Sequence, residues 1–110
     1  MRSATIIMHN RPAGRLIEDE DGYRFTYLPE YLSASEAEPI SLTLPLSDQH
    51  YHSTMLFPFF DGLIPEGWML QIVEQHWKLN PRDRMGLLLA CCRDCIGAVS
   101  VIPDQPMDAV

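Results

Sequence analysis

Period-two alternation and helix-start signals occupy opposite halves of this chain, and that segregation constrains its fold more than any other feature. In the first half, Asp21-Gly22 is followed by Tyr23, Phe25 and Tyr27, alternating with Arg24 and Thr26. This is the pattern of a tight hairpin turn leading into a half-buried strand. Ile40, Leu42, Leu44 and Leu46 alternate in the same way with Ser41, Thr43 and Pro45, the cleanest strand signal in the chain. Pro45 has no N–H for a ladder, so that end should be an edge or the strand terminus. Ala4–His9 and Gly14–Glu18 read as two further extended runs. Between them, Asn10-Arg11-Pro12-Ala13-Gly14 has the composition of a turn. Leu28–Ser35 reads as a turn or short helix.

The second half carries helix starts. Ser53 or Thr54 is placed to cap a helix running to about Asp61, with Pro58 near its first turn or at a kink. A second helix is predicted from Pro65 to about Lys78. A third opens with Asn80 as cap, Pro81 as first helical residue and Asp83 complementing the dipole, and continues through Met85–Cys92. Gly97–Ile102 returns as a strand stopped by Pro103. Strands, then helices, then one closing strand predict an α+β fold: a small, mostly antiparallel β-sheet with about three helices packed on one side. The expected organisation is a single domain over 1–103 with a flexible C-terminal tail at 104–110.

Composition narrows the function classes. With 110 residues, 46% hydrophobic and 21% charged, the chain can build one core without metal or disulfides. A net charge of −7, with only 8 scattered Lys and Arg, argues against direct nucleic-acid binding. It suits a basic partner, or simple solubility. No apolar run reaches the roughly 20 residues of a membrane span, and no signal-peptide layout opens the chain, so a cytoplasmic protein without membrane contact is expected. Cys92-x-x-Cys95, beside Cys91, has a redox spacing but lacks a βαβ context, so these thiols read as small side chains finishing a helix. His9, His50, His52 and His76 are scattered, and His50-x-His52 has no clear carboxylate or thiol to complete a metal site. The acidic run Glu18–Asp21 lacks calcium-loop spacing and reads as a solvated turn. There is no phosphate loop and no nucleophile elbow. No catalytic residue, cofactor or metal is expected, and the chain is read as a non-enzyme.

One stretch does point outward. In Leu63-Ile64-Pro65-Glu66-Gly67-Trp68-Met69, Pro65 suits a first helical position and Glu66 suits the positive end of the dipole. On a helical wheel, Met69, Ile72, Val73 and His76 share one stripe, while Trp68 lies roughly 100° from its centre. Trp77 is nearer the stripe and is the better core residue. Trp68 therefore either packs under a neighbouring loop or protrudes as an anchor for a partner's groove.

Four segments occur together in order: Tyr27-Leu28-Pro29-Glu30-Tyr31-Leu32, Ile40-Ser41-Leu42-Thr43-Leu44-Pro45-Leu46, Phe59-Phe60-Asp61-Gly62-Leu63-Ile64-Pro65-Glu66-Gly67, and Arg93-Asp94-Cys95-Ile96-Gly97-Ala98-Val99. In these, the chain resembles the N-terminal subdomain of HipA-type toxin kinases over about residues 4–103. The kinase's phosphate loop, catalytic Asp motif and metal-binding Asp motif have no counterpart here. The chain is thus more similar to HipS, the small separate antitoxins of three-gene HipBST systems. That resemblance implies two partners: a HipT-type kinase that it binds and neutralises, and a HipB-type DNA-binding protein in the same complex. The implied contact with the kinase is Trp68, flanked by Leu63, Ile64, Pro65, Glu66, Gly67 and Met69. The other implied role is a non-inhibitory subunit bridging the kinase to the HipB-type repressor.

Overall fold

A computed structural model describes residues 2–64, 83–92 and 98–104. Five strands form one antiparallel sheet: β1 (Arg2–Met8), β2 (Arg11–Asp19), β3 (Gly22–Tyr27), β4 (Tyr51–Ser53) and β5 (Val99–Pro103), in the order β4-β3-β2-β1-β5. Three helices accompany it among the described residues: α1 (Pro29–Leu32), α2 (Pro58–Asp61) and α3 (Arg84–Cys91). The α+β class with an antiparallel sheet is the one the sequence predicts.

Alternation builds the core. Ala4, Ile6 and Met8 on β1, Leu16 on β2, Phe25 and Tyr27 on β3, and Val99 and Val101 on β5 are all buried. The register puts them side by side: Ala4 opposes Leu16, Leu16 opposes Phe25, Ile6 opposes Val101 and Met8 opposes Val99. Residues between them, such as Thr5, Arg15, Arg24 and Thr26, are half-buried or exposed. Onto the buried face pack Phe60 of α2 and Met85, Leu87, Leu88 and Leu89 of α3. Phe60 meets the Phe25 ring at 5.6 Å between centroids. A helix buried continuously from Met85 to Leu89 belongs to the interior rather than to a surface.

The hairpins follow local chemistry. Gly22, at φ +128°, makes the β2–β3 turn where Asp21-Gly22 predicts one. The β1–β2 turn differs from expectation. It is two residues long, His9 and Asn10, both at positive φ (52° and 66°), the two-residue geometry whose twist matches antiparallel strands. Residues 11–13, read from composition as turn, already belong to β2. Pro12 is accommodated because the register shifts there: Ile6 opposes Gly14 while Ile7 opposes Pro12, so Ala13 is the extra residue of a bulge.

Three further expectations are corrected. Ile40–Leu46 is not a strand; among the described residues its only ladder contact is an isolated bridge between Ser41 and Leu44. Ile40 and Leu44 are buried while Leu42 is 97% exposed, a spacing of four rather than two. Within the turn Leu44 N–H donates to the Ser41 carbonyl (3.1 Å) and Thr43 N–H to Ser41 Oγ (3.2 Å). No helix starts at Ser53. Residues 51–53 form β4 against β3, with Tyr51 opposite Phe25 and Ser53 opposite Tyr23. The helix is a single turn from Pro58, which occupies its first turn as its missing N–H allows. The N-cap of α3 is Asp83, whose carboxylate accepts Gly86 N–H at 3.1 Å; Asn80–Arg82 lie outside the described residues.

Candidate functional site

The stretch singled out in the sequence begins at a firmly held point. Leu63 N–H donates to the Phe60 carbonyl (3.0 Å) and Ile64 N–H to the Asp61 carbonyl (3.2 Å), closing the turn that ends α2. Ile64 joins the core at 8% exposure, and Leu63 is half-buried against it. Two links tie this turn to α3. Cys92 Sγ lies 3.2 Å from the Leu63 carbonyl, and Arg84 Nε donates to Asp61 Oδ1 at 2.6 Å. Leu63 and Ile64 are therefore brought together with α3. Pro65, Glu66, Gly67, Trp68 and Met69 lie outside the described residues, as does the helix expected to Lys78, with Trp77.

The remaining candidates are taken up in the fold. Of the acidic run, Glu18 receives Arg2 through Nε (2.6 Å) and Nη2 (2.9 Å), and Asp19 Oδ1 accepts Asp21 N–H at 2.8 Å. Arg2 also grips Asp83 through Nη1 (2.8 Å) and Nη2 (2.7 Å), so one guanidinium joins β1, β2 and the cap of α3. That bond from Arg2, more than the opposing effect of burial, holds the Asp83 carboxyl below the usual carboxylate range. The same two carboxylates raise the Arg2 pKa. Burial, reinforced by the charge of Glu18, pushes the Tyr23 phenol up. Gly86 packs close: a Cβ there would lie 3.0 Å from Asp83 Cγ and 3.2 Å from Arg2 Nη1.

His9 lies 3.7 Å from Glu38 at the surface, and His52 sits on β4 opposite Arg24. Among the described residues, no three His, Cys, Asp or Glu gather as metal ligands. No helix among them is long and apolar enough to cross a membrane. Cys92 is buried at the C-cap of α3, where its carbonyl accepts Val101 N–H at 2.8 Å; Cys95 lies outside the described residues. Asp104, expected in a loose tail, is bound by Thr5 Oγ1 (2.7 Å) and Arg15 Nη2 (2.5 Å). Burial opposes its ionisation, but bonds from Thr5, Ser3 and Arg15 outweigh that and lower its pKa.

Sequence reasoning missed a set of tyrosine hydroxyls that fasten residues 38–45. Tyr31 donates to the Glu38 carbonyl (2.6 Å) and accepts Glu38 N–H (3.0 Å). Tyr27 accepts Ile40 N–H (3.0 Å) and donates to the Leu44 carbonyl. Tyr51 donates to the Pro45 carbonyl at 2.6 Å. The available signal was chemical: a buried tyrosine needs a partner for its hydroxyl.

What these elements define is a small α+β module whose charged side chains knit strands to helices. The chain belongs to the HipA N-terminal domain family, whose match spans residues 4–102. A solved N-terminal domain of a HipA toxin superposes with a TM-score of 0.74 at 30% identity, over 96% of this chain and 95% of that one. An uncharacterised Haemophilus influenzae protein is 33% identical over 92% of each chain. A putative kinase from Sinorhizobium fredii, Y4mE, is 26% identical over 99% of this chain, which spans only 27% of that relative's length. The family is that of the N-terminal domain, not of the kinase catalytic domain.

Proposed function

We propose that this chain is an antitoxin of a three-component toxin–antitoxin system, binding a HipA-like serine/threonine kinase of the HipT type and inhibiting it by contact near its active site. The observation that carries this reading is the double occurrence of the module. It makes up most of a short H. influenzae protein and about a quarter of a putative kinase. A surface suited to lie on a kinase within one chain is suited to do so between two chains. Contact is assigned to Leu63, Ile64, Pro65, Glu66, Gly67, Trp68 and Met69, with Trp68 as anchor. The core position of Ile64 and the contact of Leu63 with Cys92 anchor the start of the stretch against the end of α3. An indole set against the nucleotide cleft would hinder ATP placement or closure, and phosphoryl transfer depends on that positioning.

The test is a kinase assay with purified HipT-type kinase and this chain, without the HipB-type protein. Wild type should inhibit. Trp68→Ala should weaken binding by at least about 2 kcal/mol, the scale of an aromatic hot spot. Full inhibition by Trp68→Ala would remove the anchor role. Binding without inhibition would favour the bridging role toward the HipB-type repressor.

A further inference from the structure

We propose that the Ser41–Leu44 turn is a second docking element, a rigid knob that seats Leu42 in an apolar socket with a basic rim on the kinase partner. This rests on the reading above but on residues separate from Leu63–Met69. Leu42 is 97% exposed at the tip of a turn that has no regular secondary structure. A lone exposed leucine is ordinary on a protein surface. What sets this one apart is how its support is built.

The backbone on both sides of Leu42 is clamped from beneath. Tyr27 grips the turn at Ile40 and Leu44, and Tyr31 and Tyr51 hold its approaches at Glu38 and Pro45. Ile40 and Leu44 are sunk in the core at 6% and 3% exposure. Across the tip, the Ser41 and Thr43 hydroxyls bond to each other at 2.9 Å, one on each side of Leu42. Such a loop loses little freedom on binding, which is where preorganised contacts gain their affinity.

Charge selects the occupant. Glu36 and Glu38, just before the turn, are exposed but lie 3.9 Å from Arg11 and 3.7 Å from His9, so the negative charge that bears on a partner is that of the whole chain, a net −7. A second copy of this chain would bring like charges together, whereas a basic rim would be attracted.

Leu42→Asp and Leu42→Met are to be compared with wild type for binding to the purified HipT-type kinase by calorimetry, with thermal melts as the folding control. Both variants should melt with wild type. Leu42→Asp should bind at least about tenfold more weakly, a loss of about 1.4 kcal/mol, and Leu42→Met should bind nearly as wild type. Wild-type affinity in Leu42→Asp overturns the knob and leaves the antitoxin reading standing. Failure of wild type to bind the kinase overturns both. A wild-type dimer that Leu42→Asp converts to monomer in sedimentation overturns the kinase as occupant.

Discussion

Tyr27 shows how much one polar atom governs at the scale of a residue. Its ring is 1% exposed and lies edge-on to Phe25 at 4.9 Å and parallel to Tyr31 at 6.1 Å. Burial raises its pKa first, so the phenol stays protonated and able to donate to Leu44. Tyr27→Phe keeps the ring but leaves the Ile40 N–H and the Leu44 carbonyl without this partner. An unsatisfied buried group costs roughly 1–3 kcal/mol, so urea denaturation of Tyr27→Phe should show a loss on that scale. Hydrogen exchange should quicken at Ile40. The aromatic alternation around Tyr27 was legible because strand patterning is local. The destination of its hydroxyl was not, since Ile40 and Leu44 lie 13 and 17 residues away.

At the scale of elements, the junction between α3 and the sheet has a pH signature. Asp83 caps the helix through Gly86 N–H and binds Arg2, and its folded pKa is lowered, chiefly by Arg2. A lowered folded value means stability that is present above the unfolded pKa and lost as pH falls through the folded one. Asp83→Asn retains a capping oxygen but not the charge. Chemical denaturation should find it less stable than wild type at pH 7, and the gap should narrow below about pH 4, the ordinary aspartate range. A gap that stays constant down to pH 2 would contradict the assignment. The sequence signals here were partly readable. In the sequence both Asn80 and Asp83 have the chemistry of a helix start, and the bond that distinguishes Asp83 comes from Arg2, 81 positions away. The same competition explains β4. Ser53 and Thr54 have capping chemistry, yet the open side of β3 recruits residues 51–53 into the sheet.

Across the whole molecule, charge should shape encounter more than stability. The ion pairs described lie at partly exposed surfaces, where each adds little. The net −7 acts at longer range. Association with the proposed kinase partner should therefore slow markedly between low and physiological salt, while dissociation changes little; stopped-flow measurements at several ionic strengths would check this. An association rate indifferent to salt would remove the electrostatic part of the proposal. The motifs that carry the family resemblance serve here as joints. Tyr27 and Tyr31 clamp the loop, Phe60 fills the core, Asp61 meets Arg84, and Leu63 meets Cys92.

What the sequence determined by itself was whatever depends on neighbours along the chain. Alternation at Tyr23–Tyr27, the glycine turn at Gly22, the helix through Met85–Cys91 and the closing strand all follow from short-range sterics and hydrophobic spacing. Tertiary structure alone decided where competing local preferences ended. Ile40–Leu46 has a strand's periodicity, but Tyr27 gives its backbone other partners and turns it over. Ser53 has the chemistry to cap a helix, but residues 51–53 pair with the open edge of β3 instead. In both places the deciding hydrogen bonds join residues far apart in the chain, and no local pattern encodes them.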